Sequence, residues 1–122
     1  MRVLVVDDQT SVRRLIRAAL KDLATVDEAP DWPAGIALVG RQTYAAVLLD
    51  LGVPGALGPA QMVAGIRSRD PHTRVIVITG RSDARGQLPA GVRMLLKPFD
   101  LAELRRAVRG APGLGAPGTA GE

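Results

Sequence analysis

Val47-Leu48-Leu49-Asp50-Leu51-Gly52-Val53-Pro54 is an apolar run that ends in one carboxylate and then breaks at glycine and proline. A short continuous apolar run closed by turn residues reads as a strand buried on both faces of a sheet. Asp50 then stands at the carboxyl end of that strand, the edge where open α/β sheets place their ligands. Taken alone, an Asp after a strand is most often a turn residue or a helix cap. The rest of the chain decides whether Asp50 is more than that.

Outward from this stretch the same grammar repeats. Val3-Leu4-Val5-Val6 is a second buried run, and it ends in Asp7-Asp8. A helix follows, with Val12, Leu15, Ile16, Ala19 and Leu23 at helical spacing. Arg13, Arg14, Arg17 and Lys21 fall on its other side, and Thr10 or Ser11 is placed to cap it. Ala24–Ala29 is a weaker, more exposed strand, and Pro33 suits the first turn of a helix running to Gly40. The strand of the opening stretch runs from Tyr44 to Asp50. Pro59 opens the next helix, with Arg67 and Arg69 near its end. Val75–Thr79 is a fourth strand and Val92–Leu96 a fifth, closed by Lys97-Pro98. Asp100-Leu-Ala-Glu103 starts a last helix whose Leu101, Leu104, Ala107 and Val108 point inward. Strands alternating with helices give a parallel sheet covered on both faces, an α/β domain over residues 1–109. Residues 110–122, rich in Gly, Pro and Ala, read as a flexible tail.

Composition narrows the chemistry. The 122 residues suit one domain. With aromatics at 2%, the core must be aliphatic, and without cysteine there is no disulfide, thiol nucleophile or thiolate metal site. No apolar run approaches the roughly 20 residues of a membrane span, and the first residues run straight into acids, so no membrane insertion and a cytoplasmic location are expected. The net charge of +4 comes from arginines spread along the chain. No basic run interleaves with Trp32, Tyr44 or Phe99, so direct nucleic-acid binding is not expected. His72 lies in a Pro-containing turn between a helix and a strand, away from the edge that carries Asp50, and reads as a solvated loop residue.

Four strand ends now carry polar groups at one edge: Asp7 and Asp8, Asp50, Thr79, and Lys97. Clustered carboxylates repel one another and call for a cation. An all-oxygen donor set favours a hard ion, Mg²⁺ or Mn²⁺. A cation beside a lysine and a hydroxyl makes a site for a phosphoryl group. No glycine-rich phosphate loop is present, and Asp50 is the remaining nucleophile.

With these residues in place, the chain resembles the receiver domain of bacterial two-component response regulators, of the single-domain type. The resemblance rests on Asp7-Asp8, Asp50-Leu51-Gly52-Val53-Pro54 with Gly58, Thr79-Gly80 and Lys97-Pro98-Phe99. It implies a flavodoxin-like (βα)5 fold with strand order 2-1-3-4-5. By position it makes Asp50 the phosphoacceptor, and Asp7, Asp8, Asp50 and the Gly52 carbonyl the metal site. Thr79, Gly80 and Lys97 would bind the phosphate, and the Lys97–Pro98 bond would be cis. The implied donor is a sensor histidine kinase or phosphotransfer protein, with output through a protein partner. The implied catalysis is limited to the domain's own phosphorylation and dephosphorylation, so it is not a conventional enzyme.

Three features bear on how closely the chain follows the family pattern. Met94 stands where Tyr or Phe is common, which leaves open whether the switch is kept or the domain is a pseudo-receiver, an interaction module without switching. Lys97 follows Thr79 by 18 positions, roughly one helical turn fewer than usual. With Gly86 and Pro89 inside that segment, the fourth helix is expected to be short, distorted or absent. Gly52 and Arg81 hold positions that tune phosphate lifetime, with opposite leanings. A Mg²⁺-dependent phosphohydrolase using the same Asp would need a second acid where Gly52 stands.

Overall fold

Parallel strands buried on both faces must be joined by crossovers that cover those faces, and the chain folds in that way. The computed structural model describes residues 1–110. In order the elements are β1 (Arg2–Val6), α1 (Thr10–Ala19), β2 (Thr25–Ala29), α2 (Trp32–Val39), β3 (Ala46–Asp50), α3 (Pro59–Arg69), β4 (Arg74–Thr79), a 3-10 helix (Ser82–Gln87), β5 (Arg93–Leu96) and α4 (Leu101–Arg109). The five strands are parallel, in the order β2-β1-β3-β4-β5. The expected tail falls outside the described residues, apart from Gly110, which ends α4 in the left-handed conformation at φ +80°.

Alternation along the strands sorts the core into two layers. Leu4, Val6, Val47, Leu49, Val75 and Val77 face α2, α3 and the 3-10 helix. Val3, Val5, Ala46, Leu48, Ile76 and Ile78 face α1 and α4. β1, β3 and β4 are buried along most of their length, whereas the edge strand β2 buries only Val26 and Ala29. Tyr44 lies just before β3, not in it. It is buried, and its hydroxyl donates to Asp27 at 2.7 Å. Burial, with that carboxylate, pushes its phenol well above the ordinary range.

The crossover between β4 and β5 is the six-residue 3-10 helix, in line with the shortened helix that Gly86 and Pro89 predict. It buries only Ala84.

Several local expectations are corrected. Neither Thr10 nor Ser11 caps α1; Gln9 holds the N-cap position, and no side chain bonds the first turn from there. The Asp7 carboxylate accepts the Gln9 N–H at 2.9 Å and sets that turn from outside the helix. Leu15 is 47% exposed while Leu20 is fully buried. The inward stripe of α1 is centred on Ile16 and Leu20, and Leu15, about 100° round the helix from Ile16, falls on its flank. Leu101, expected inward, is exposed at the first position of α4, where Leu104, Ala107 and Val108 do the packing. Asp31 and Asp100 are true N-caps, accepting from Ala34 and Ala102 N–H at 2.8 Å each.

Candidate functional site

In a parallel sheet every carboxyl end lies at one edge, so β1, β3, β4 and β5 deliver their last residues together. Asp7, Asp8 and Asp50 each offer a carboxylate oxygen, and these oxygens lie within 4.8 Å of one another. The three differ in setting: Asp7 is buried, Asp50 half-buried and Asp8 exposed. Lys97 enters from the end of β5. Its ammonium donates to Asp7 Oδ2 at 3.0 Å and to Asp50 Oδ2 at 3.4 Å. The lysine thus sits between two acids, closer to Asp7 than to the strand-end acid of β3. Burial alone would lower its pKa, but the Asp7 hydrogen bond and the Asp50 charge outweigh burial and hold it above the ordinary lysine range. The Lys97–Pro98 peptide is cis.

The backbone around the acids is fixed by specific bonds. The Asp7 N–H donates to the Ala29 carbonyl at 3.0 Å, and Asp50 Oδ1 accepts the Gly52 N–H at 3.1 Å. A side chain at Gly52 would begin 3.8 Å from Asp50 Oδ1, so glycine leaves room beside the carboxylate. The loop after β3 is held by the buried Leu51 and Val53, and the Trp32 N–H donates to the Pro54 carbonyl at 2.9 Å. Gly55 turns at φ +78° against the Pro33 ring, with no space for a Cβ.

Thr79 ends β4 buried, its hydroxyl accepting the Arg81 N–H at 3.2 Å. The Lys97 N–H donates to the Thr79 carbonyl at 2.8 Å, tying the hydroxyl's strand to the lysine's loop. Gly80 faces open space. The Arg81 guanidinium lies largely in solvent beside Asp83 at 3.5 Å. Met94 is half-buried and packs on the α2–α3 layer. His72 is an exposed turn residue.

Sequence reasoning missed Arg13. Helical spacing places it with the solvated basic residues of α1, yet its side chain is only 15% exposed. It reaches back past the helix start, and Nη1 donates to the Asp7 carbonyl at 2.7 Å. Its Nε donates to Glu28 at 2.9 Å, and Arg17 binds the same carboxylate. Burial works against the Glu28 charge, but the two guanidiniums outweigh it and lower its pKa. An arginine in the first turn after an acid pair, with a glutamate on the neighbouring strand, is the sequence signal; helical periodicity alone hides it.

Three carboxylates and one ammonium make an excess-negative cluster of hard oxygen donors, with Thr79 at the end of the neighbouring strand on the same sheet edge. That set fits a divalent cation such as Mg²⁺, and it leaves one accessible carboxylate beside a fixed positive charge. Residues 3–109 match the family model for the response regulator receiver domain. The transcriptional regulatory protein TcrA of Mycobacterium tuberculosis is 34% identical over 114 residues, covering 89% of this chain and 45% of that protein. The chain therefore spans under half the length of that relative. Chemotaxis protein CheY-3 of Vibrio cholerae is 30% identical, with 86% of each chain covered. Among solved structures, the signal receiver domain of an HD domain-containing protein from Pseudomonas fluorescens superposes with a TM-score of 0.78 at 26% identity, covering 90% of this chain and 92% of that one. A response regulator receiver protein from Sinorhizobium medicae gives a TM-score of 0.81 at 20% identity, covering 91% and 93%, a likeness of fold.

Proposed function

The chain belongs to the response regulator receiver domain family, and from that premise we propose that Asp50 is its phosphoacceptor, charged by a sensor histidine kinase or phosphotransfer protein. The observation that carries this is the meeting of Asp7, Asp8 and Asp50 around the Lys97 ammonium. In the step, an Asp50 carboxylate oxygen bonds the phosphorus as the phosphorus–nitrogen bond of the donor's phosphohistidine breaks. The imidazole leaves with the electron pair and recovers a proton. Asp7 and Asp8, with Asp50 and the Gly52 carbonyl, would hold Mg²⁺, which when bound supplies positive charge to the transferring oxygens.

The chain's own residues do the remainder. Lys97 neutralises charge between Asp7 and Asp50 and stays beside the acyl phosphate. The Thr79 oxygen already accepts a hydrogen bond, so its O–H is left to donate to a phosphoryl oxygen. Gly52 and Gly80 keep the approach open, so that water and donor both reach the phosphorus. With Arg81 turned toward Asp83, the balance of the two lifetime positions favours quick loss of the phosphate.

Incubation with Mg²⁺ and acetyl phosphate, followed by intact-mass measurement, tests the reading. Wild type should gain one phosphoryl group and Asp50→Asn should gain none. Modification of both, or of neither, sinks the assignment.

A further inference from the structure

The two acids of the β1 end are held very unequally. Each polar atom of Asp7 has a protein partner: its N–H meets the Ala29 carbonyl, Oδ1 the Gln9 N–H, Oδ2 Lys97, and its carbonyl Arg13. Asp8 is exposed. The Asp7–Asp8 peptide plane orients the chain as it enters Asp8, and the oxygen of that peptide is the one Arg13 grips at 2.7 Å.

The grip is itself anchored. Arg13 Nε donates to Glu28 Oε1 at 2.9 Å and Nη2 reaches Thr10 Oγ1 at 3.4 Å, so one planar fork spans β2, the start of α1 and the Asp7 carbonyl. Glu28 is shared with Arg17 at 2.8 Å, which fixes it from the far side.

We propose that Arg13, oriented by Glu28, is a positioning residue for the divalent-cation site: it holds the Asp7–Asp8 peptide so that Asp8 presents its carboxylate beside Asp7 and Asp50. The proposal rests on the reading of these acids as a Mg²⁺ site. Two effects of removing Arg13 have opposite signs. As a bystander cation near three carboxylates, its loss would strengthen Mg²⁺ binding. As the clamp on the peptide, its loss frees Asp8 and weakens binding. Supporting groups around metal ligands typically change affinity by about 10–100-fold, which exceeds the screened Coulomb gain at an exposed edge.

Calorimetric titration of the purified protein with Mg²⁺ alone decides the matter, with no phosphodonor present. Arg13→Ala should weaken binding by about ten-fold, with circular dichroism unchanged. Arg14→Ala removes the same charge one residue on, at an exposed position, and should leave affinity equal or slightly tighter. Glu28→Gln should lie between wild type and Arg13→Ala. Where the alanine variant does not fold, Arg13→Lys serves: it keeps the charge but loses the fork, and weaker binding than wild type supports the clamp. Unchanged or tighter Mg²⁺ binding in folded Arg13→Ala or Arg13→Lys overturns the proposal. Absence of Mg²⁺ binding by wild type overturns the site reading on which it rests, and the two failures are distinct.

Discussion

Replacing Gly35 by alanine puts a methyl group on the face of α2 that lies against β1. Its Cβ would come 2.8 Å from Val6 Cγ2 and 3.1 Å from Cγ1. Val6 is 1% exposed and, being β-branched, has no easy alternative rotamer, so a backbone must move. Overpacking of this kind costs about 1–3 kcal/mol, and alanine returns about 1 kcal/mol of helix propensity. The net expectation is a loss of about 1 kcal/mol. Gly65 in α3 is the built-in control. A Cβ there meets Trp32 Cζ2 at 3.5 Å and Ile36 Cδ1 at 3.8 Å, ordinary contact distances. Gly65→Ala should therefore stabilise by up to about 1 kcal/mol, leaving the two variants about 2 kcal/mol apart. Urea unfolding followed by Trp32 fluorescence reads both, as shifts in midpoint at constant slope. Val6 precedes Asp7, so Gly35→Ala should also weaken Mg²⁺ binding while Gly65→Ala does not. A Gly35→Ala protein as stable as wild type would refute the steric argument.

Asp50→Asn removes one of three mutually repelling carboxylates, so its thermal midpoint without Mg²⁺ should rise above that of wild type while its gain on adding Mg²⁺ shrinks; a thermal-shift titration with Mg²⁺ checks both. Arg74 donates to the Ala107 and Val108 carbonyls at the end of α4, and burial lowers its pKa. Arg74→Met removes the charged donor from both, though the Ala107 carbonyl keeps the Gly110 N–H, and should cost about 1.5–3 kcal/mol in urea unfolding; a cost below about 0.5 kcal/mol would contradict this. Glu28, its pKa held below the unfolded value of 4.5, contributes stability that is fully present above that pH and is lost as pH falls through the lower native value. Acid titration of the unfolding midpoint should therefore be shallower in Glu28→Gln than in wild type.

The sheet was legible because its signals are one-dimensional. Val3–Val6, Val47–Leu49 and Val75–Ile78 are apolar without interruption, and only a strand buried on both faces requires that. Once the sheet is parallel, the residues after each strand must share an edge, so Asp7, Asp8, Asp50, Thr79 and Lys97 could be grouped before any distance was known. What was not legible depended on direction. Arg13 lies at a solvent-facing angle of α1 by periodicity, yet it turns toward the chain N-terminal to its own helix, as side chains on helices lean. Lys97 pairs with Asp50 and also with Asp7, and it is the deeper Asp7 carboxylate that lies closer, which strand-end position alone does not reveal. The caps of α2 and α4 are fixed by local chemistry, whereas the cap of α1 is replaced by the Asp7 carboxylate, whose side chain is also tied to Lys97.

The shortened β4–β5 crossover changes what lies next to Thr79. The Thr79 hydroxyl accepts the Arg81 N–H, and Arg81 is the residue immediately before the 3-10 helix. Any displacement of Thr79 toward a phosphoryl oxygen therefore acts first on the Arg81 peptide. The segment beyond buries only Ala84, and its ends close on i→i+3 bonds: the Ala84 N–H donates to the Arg81 carbonyl and the Leu88 N–H to the Arg85 carbonyl, 3.2 Å each. Such i→i+3 bonds have poorer geometry than those of an α-helix. Elements with few buried contacts open at low free energy. Met94 packs on the same layer as Ala84 and Leu88, and an unbranched thioether refills space that an aromatic ring would need to vacate as a unit. The loss of a helical turn and the loss of the aromatic are thus mutually consistent. Both make the region beside the Thr79 hydroxyl easier to rearrange, and neither touches the acids or Lys97.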